Sequence, residues 1–240
     1  MMALLQVIRS IVFTVIAYGS MPIVALICLP WALLDRRGAF AAAHIWCRIA
    51  MWCARWIVGL KTEVRGTPPK GGALVVGKHQ SFLDIIMIFA AIPRGKFIMK
   101  KELIYTPVVG QYGLMMGCIP VNRGKRGAAI KKMKADVAAG RTEDGQLIIF
   151  PQGTRVPPGE KRPYKIGTAV LYEQLEQDCY PVAVNVGLFW PAHGLVKKPG
   201  TAVIEFLPPI APGKSTIEFM AELEAVIEAG SDRLMAEARG

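Results

Sequence analysis

From Ile11 to Leu34 the chain runs 24 residues without a charged side chain. Few folds accommodate such a segment. As one helix, at ~1.5 Å per residue, it is about 36 Å long, enough to cross a hydrocarbon layer of about 30 Å with some tilt. Gly19, Pro22 and Pro30 interrupt it. They allow either one kinked spanning helix or two short helices that enter the membrane and return. A cleaved secretory signal fits poorly. Its apolar core is shorter, and the small residues Ala41-Ala42-Ala43 lie beyond Asp35, Arg36 and Arg37.

The next stretch, Ala39 to Leu60, combines Trp46, Trp52 and Trp56 with Arg48 and Arg55. The two arginines are seven residues apart and share a helical face. This reads as a helix lying at a lipid–water interface, where tryptophan and arginine are both favoured. The alternative is a core helix with two surface arginines. Residues 1–60 are thus expected to form a membrane anchor with an interfacial helix, and residues 61–240 a separate domain. Only Arg9 precedes the apolar run, whereas Arg36, Arg37, Arg48, Arg55, Lys61 and Arg65 follow it. If the run spans the cell membrane, the positive-inside rule puts the larger domain on the cytoplasmic face.

Past the loop-like Gly66–Gly72, short β-branched runs alternate with helical segments. The expected strands are Ala73–Gly77, Phe97–Met99, Cys118–Asn122, Gln146–Phe150, Pro181–Val186 and Thr201–Leu207. The expected helices are Phe82–Ala91, Gly127–Ala139, Gly167–Gln177 and an amphipathic Ser215–Arg239. Such alternation predicts an α/β fold with a mostly parallel central sheet flanked by helices.

The net charge is +11, unevenly placed. Residues 1–60 carry +4 and residues 215–240 carry −4, which leaves +11 in the middle. Arg94 to Lys134 alone holds ten cations and one acid, Glu102. Next to an apolar segment, such a surface suits anionic lipid or a phosphorylated substrate. A solvated basic face is the plainer alternative. No nucleic-acid-binding motif is present, so no nucleic-acid partner is expected. Five cysteines without a C-x-x-C pair indicate neither a disulfide framework nor a zinc site.

Chemistry concentrates in two loops that follow strands. The first contains His79, Ser81 and Asp84. In one continuous helix His79 and Asp84 would sit about 140° apart, too far round to pair. They can pair if His79 lies in the loop and Ser81 caps the helix, with Asp84 completing a capping box. An aspartate on one ring nitrogen leaves the other free as a base. Equally, Asp84 serves only as a cap and His79 is an ordinary loop residue. The second loop is Phe150-Pro151-Gln152-Gly153-Thr154-Arg155. Its glycine permits a tight path, while Thr154 and Arg155 offer donors to an anion. An ordinary turn with one surface arginine is the alternative. In parallel α/β sheets ligands bind beyond the carboxyl ends of strands, so both loops can line one crevice. No nucleophile elbow, Walker loop or dinucleotide fingerprint occurs.

Four ordered blocks, His79-x-x-x-x-Asp84, Cys118–Arg123, Phe150–Arg155 and Tyr180–Val184, resemble those of the glycerolipid acyltransferases. The resemblance covers roughly residues 60–210. It implies an enzyme of phospholipid biosynthesis that moves a fatty acyl group from a thioester, on coenzyme A or acyl-carrier protein, to the sn-2 hydroxyl of lysophosphatidic acid. By that resemblance His79 is the general base and Asp84 its orienting partner. Arg123 and Arg155 hold the glycerol phosphate, with Gly153 and Thr154 shaping the loop and Lys100 or Lys101 adding to the site. The Pro181 block lines the substrate channel. No metal or bound cofactor is implied, because the thioester is already activated. In one departure, Gln152 stands where the family usually has glutamate, which keeps a hydrogen-bonding group but loses the charge. Gln152 is therefore expected to position substrate, and a different lysolipid acceptor stays open. A non-catalytic membrane scaffold is the remaining alternative.

Overall fold

The computed structural model describes residues 2–121 and 145–240, with the backbone alone at 2, 100 and 121. The chain opens with α1 (Met2–Leu34), a single helix that contains both Pro22 and Pro30. After Asp35, which caps the next helix through Arg37 N–H, α2 (Arg36–Cys53) turns back along it. The return is close because small residues meet: Ala25, Cys28 and Ala32 pack on Ala39 and Ala42. The expected interfacial helix therefore starts earlier than Ala39. It ends in a π turn, Ala54–Val58, closed by left-handed Gly59.

A sheet follows, with β1 (Leu60–Gly66), β2 (Ala73–Gly77), β3 (Gly95–Lys100), β4 (Ile119–Val121), β5 (Gln146–Ile149), β6 (Cys179–Val184) and β7 (Gly200–Phe206). The helices between and after them are α3 (Phe82–Ala91), α4 (Val109–Met115), α5 (Gly167–Leu175) and α6 (Thr216–Glu237). The strand order is β1-β7-β6-β2-β5-β3-β4. Neighbours run parallel except β6 and β7. This is the mostly parallel α/β sheet the sequence predicts. The expected helix Gly127–Ala139 lies outside the described residues.

Strand β1 is absent from the sequence reading. Lys61, Thr62, Glu63 and Arg65 make it polar, and among the described residues it lies at the sheet edge, paired with β7 alone. Edge strands tolerate such residues, so apolar patterning is a weak signal there.

Alternation along the interior strands sorts the layers. Val75 and Ile148 point to one face, into a core shared with α3, α2 and the first half of α1. Leu74, Val76 and Leu147 point to the other, against α5 and α6. The connection after β2 leads toward β3, while the connection after β5 leads back past β2 to β6. The chain thus diverges between β2 and β5, and the carboxyl ends of those strands border a natural crevice.

The first half of α1 is fixed to the sheet unit by one stripe. Gln6 Nε2 donates to Lys197 O (2.8 Å), and Ser10 Oγ accepts from Lys197 N (2.9 Å). Thr14 Oγ1 accepts from Lys197 Nζ (2.9 Å). Fully buried Phe13 meets Trp190 edge to face at 5.2 Å. The opposite face of α1 exposes Leu4, Leu5, Ile8, Val15, Ile16 and Leu26. Phe13→Ala removes a buried aromatic from this junction. It should lower stability by about 3 kcal/mol, read from denaturation of the protein in detergent.

Candidate active site

Ser81 is the N-cap of α3, and its side chain accepts from Leu83 N–H. Asp84 closes the capping box with one carboxylate oxygen: Oδ2 accepts from Gln80 N (2.8 Å) and Ser81 N (2.7 Å). The other oxygen, Oδ1, lies 2.9 Å from His79 Nδ1. Asp84 therefore performs both roles that the sequence left as alternatives. It is fully buried, while the His79 side chain keeps 13% of its surface exposed. Because Nδ1 faces a carboxylate, it carries the proton, and Nε2 is left with its lone pair free. Phe150 stacks on the imidazole at 4.1 Å and 20° and fixes its plane.

The two loops meet through the backbone. Val156 N–H donates to His79 O (2.7 Å), which joins the end of the Pro151–Arg155 loop to the histidine loop. Gly153 sits at φ +69, in the left-handed region that glycine favours. Gly153, Thr154 and Arg155 are exposed. Arg155 Nη1 donates to Ala192 O (2.9 Å), which leaves the rest of its guanidinium fork open.

His79 and Arg155 share a cavity of about 630 Å³. Its other walls are nearly all apolar. They come from α1 (Met21, Val24), α2 (Ala42, Trp46), α3 (Ile86, Phe89), β3 (Phe97, Met99) and α4 (Tyr112, Gly113). The Tyr112 hydroxyl is spent on Ala25 O at 2.5 Å, so it ties α4 to α1 and offers little polarity to the interior. The chamber is apolar, with a base and an arginine among its lining residues, which suits a hydrocarbon chain carrying a reactive polar group. Among the described residues no group of His, Cys, Asp and Glu is placed to hold a metal ion.

The structure thus brings His79, Asp84, Gly153, Thr154 and Arg155 into one region. Lys100 ends β3, which runs past its last pairing with β5, Phe97↔Ile148, toward the same sheet edge. Lys101 opens a 3-10 turn, Lys101–Tyr105, and is exposed. Lys101 does not line the cavity. Arg123 lies outside the described residues. Gln152 is 3% exposed, and neither atom of its carboxamide has a hydrogen-bond partner among the described residues. The Pro181 block does not line the cavity, contrary to expectation. It forms β6, in register with β2 inside the sheet, where its role is to support the His79 strand. His44 and His193 also stand apart. His44 Nε2 lies 3.3 Å from Pro93 O, and His193 is on an exposed loop.

Sequence reasoning missed a buried polar group behind His79. Lys78 is 1% exposed, and its Nζ lies 2.5 Å from Glu228 Oε2 on α6. Tyr164 donates to Glu228 Oε1 (3.0 Å). Burial, then the Glu228 carboxylate, pushes the Tyr164 phenol well above its ordinary range, so it acts as a neutral donor. Glu228 offered one signal, since it is an acid among apolar neighbours of an otherwise amphipathic helix.

A family model described as acyltransferase matches residues 61–185, and the chain belongs to that family of acyl-transferring enzymes. The 1-acyl-sn-glycerol-3-phosphate acyltransferase of Pseudomonas aeruginosa is 27% identical over 241 residues, spanning 98% of this chain and 93% of that protein. The protein of the same name from Cocos nucifera is 30% identical over 190 residues, spanning 78% of this chain and 60% of its own length. Among solved structures, the 1-acyl-sn-glycerophosphate (LPA) acyltransferase PlsC from Thermotoga maritima has the same fold. Its TM-score is 0.83 at 22% identity, covering 98% of both chains.

Removing one partner of the buried pair leaves an uncompensated charge. Glu228→Gln should destabilise the protein by about 3 kcal/mol, and the double change Lys78→Met with Glu228→Leu by clearly less. Denaturation of both variants alongside wild type checks this ordering.

Proposed function

We propose that this enzyme acylates the sn-2 hydroxyl of lysophosphatidic acid, using a fatty acyl thioester of coenzyme A or acyl-carrier protein, and so makes phosphatidic acid. The observation that carries the reading is an oriented imidazole opening, beside Arg155, onto an otherwise apolar chamber. The relatives named 1-acyl-sn-glycerol-3-phosphate acyltransferases support it.

In this mechanism the hydrocarbon lies in the chamber and the phosphate lies toward Arg155 and the Gly153–Thr154 turn. His79 Nε2 takes the proton of the sn-2 hydroxyl as that oxygen attacks the thioester carbonyl. The carbon–sulfur bond breaks, and the imidazolium returns its proton to the departing thiolate. Asp84 holds the reactive tautomer and balances the transient charge on His79. General-base help of this kind is worth about a hundredfold to ten-thousandfold. No acyl-enzyme intermediate is required.

We also infer that residues 1–60 are the membrane anchor and residues 61–240 the acyl-transferring unit. By length and composition α1 can cross a membrane. Yet its Gln6 end rests on Lys197, and the Cys53 end of α2 leads directly into β1. Both ends of the hairpin thus adjoin the sheet unit. This supports a hairpin lying in one leaflet, with the exposed face of α1 and the exposed Trp52 and Trp56 in lipid. The basic middle of the chain would then face an anionic cytoplasmic surface.

The test is transfer of a labelled acyl group to lysophosphatidic acid in detergent, with both donors offered in turn. Wild type should form phosphatidic acid. His79→Ala should fall at least about a hundredfold, and Asp84→Asn should fall comparably. A wild type inactive with both donors would redirect the search to other lysolipid acceptors, the second reading that Gln152 leaves open.

A further inference from the structure

The Phe150–Arg155 loop has a neighbour that none of the four sequence blocks contains. Lys165 lies just before α5, and its backbone N–H donates to Pro151 O (3.0 Å), which fixes it against the loop. Its side chain folds over Gly153. A β-carbon placed on that glycine would come within 2.5 Å of Lys165 Nζ and 3.2 Å of Cε. The ammonium therefore sits on the bare face of the one left-handed residue in the loop.

Among the described residues this cation lacks a counter-charge. Lys78 is paired with Glu228, Lys214 with Glu222, Arg65 with Glu63 and Glu237, and Arg233 with Glu205 and Glu237. Among the described residues no carboxylate forms an ion pair with Lys165, although the residue is exposed and free to reach for one. Holding a long flexible side chain over one glycine costs rotamer freedom. Here no ion pair offsets that cost. A ligand anion in the turn would do so.

We propose that Lys165 is a substrate-binding residue that holds the phosphate monoester of the acceptor together with Arg155, and so favours monoester acceptors over phosphodiester ones. The proposal rests on the functional reading above. A phosphate monoester carries close to two negative charges near neutral pH. Arg155 supplies one positive charge and has already committed one N–H to Ala192. Lys165 supplies a further one, as a compact ammonium with three rotatable donors. The two residues adjoin the loop from different segments: Arg155 lies within it and lines the cavity, while Lys165, from the stretch entering α5, lies over Gly153. A dianion seated there is bridged, whereas a diester, with one charge and a bulky substituent, loses most of what Lys165 contributes. Gly153 is needed for a second reason, since any side chain at that position would displace the ammonium.

The experiment compares wild type, Lys165→Met and Lys165→Arg in steady-state acyl transfer. Acceptors are lysophosphatidic acid and lysophosphatidylglycerol, and the melting temperature is measured for each variant. Lys165→Met should raise KM for lysophosphatidic acid about tenfold to a hundredfold, the worth of one charge-assisted hydrogen bond. The KM for the acyl donor and the melting temperature should stay near wild type. Lys165→Arg should recover most of the loss, and the preference for lysophosphatidic acid over the diester should shrink in Lys165→Met. An unchanged acceptor KM in Lys165→Met, a rise in donor KM instead, or equal losses on both acceptors would overturn the proposal while leaving the function intact. A wild type inactive on lysophosphatidic acid would remove the functional reading and this proposal together.

Discussion

The structure depends on how one carboxylate is used. Asp84 is fully buried, and a buried ionised carboxylate survives only when its oxygens are satisfied. Two backbone N–H groups occupy Oδ2, and the His79 ring occupies Oδ1. Burial excludes water as a competitor, so the imidazole has one orientation available. The helix cap and the orientation of the imidazole are thus a single arrangement. A change that disturbs the start of α3 moves the histidine, and a change to the histidine leaves a charge without its partner.

Around that point the chain is tied from three directions. Phe150 lies on the ring, Val156 holds the carbonyl of His79, and Gln80 accepts from Gly187 N at 3.0 Å. Behind it the Lys78–Glu228–Tyr164 group joins the histidine loop to α6 at the far end of the sequence. A buried ion pair of this kind adds little net stability over an apolar substitute, yet it links the histidine loop to α6 through buried hydrogen bonds. The short, irregular loop gains its rigidity from these distant segments.

Much of this was legible in the sequence, and what was hidden has physical reasons. The parallel sheet follows from alternation of apolar strands with helical segments, and the Ser81–Asp84 cap follows from residue type and spacing. Whether Asp84 also reached His79 did not follow, because that depends on a loop conformation that no periodicity encodes. Strand β1 escaped because an edge strand has no need of apolar residues. The apolar run at Pro181 read correctly as a strand, while the channel-lining role came only from the family resemblance and does not fit an interior strand. Nothing in the sequence pattern singles out Lys78 or Lys165. Only the fold reveals that one is buried on a glutamate and the other is laid across a glycine.

The walls of the chamber carry a consequence for how such a chain can change over time. Met21, Val24 and Trp46 line one hollow together with Ile86, Phe97 and Met99, so the hairpin and the sheet unit both contribute to the same surface. An anchor that merely tethers can be exchanged for any other greasy helix. This one cannot, because its inner stripe is a mould for whatever the hollow receives. On the anchor proposed above, drift in lipid-facing positions is free, whereas drift one helical step round alters the shape of the mould. The two faces of α1 would then evolve under separate masters, the bilayer on one side and the ligand on the other.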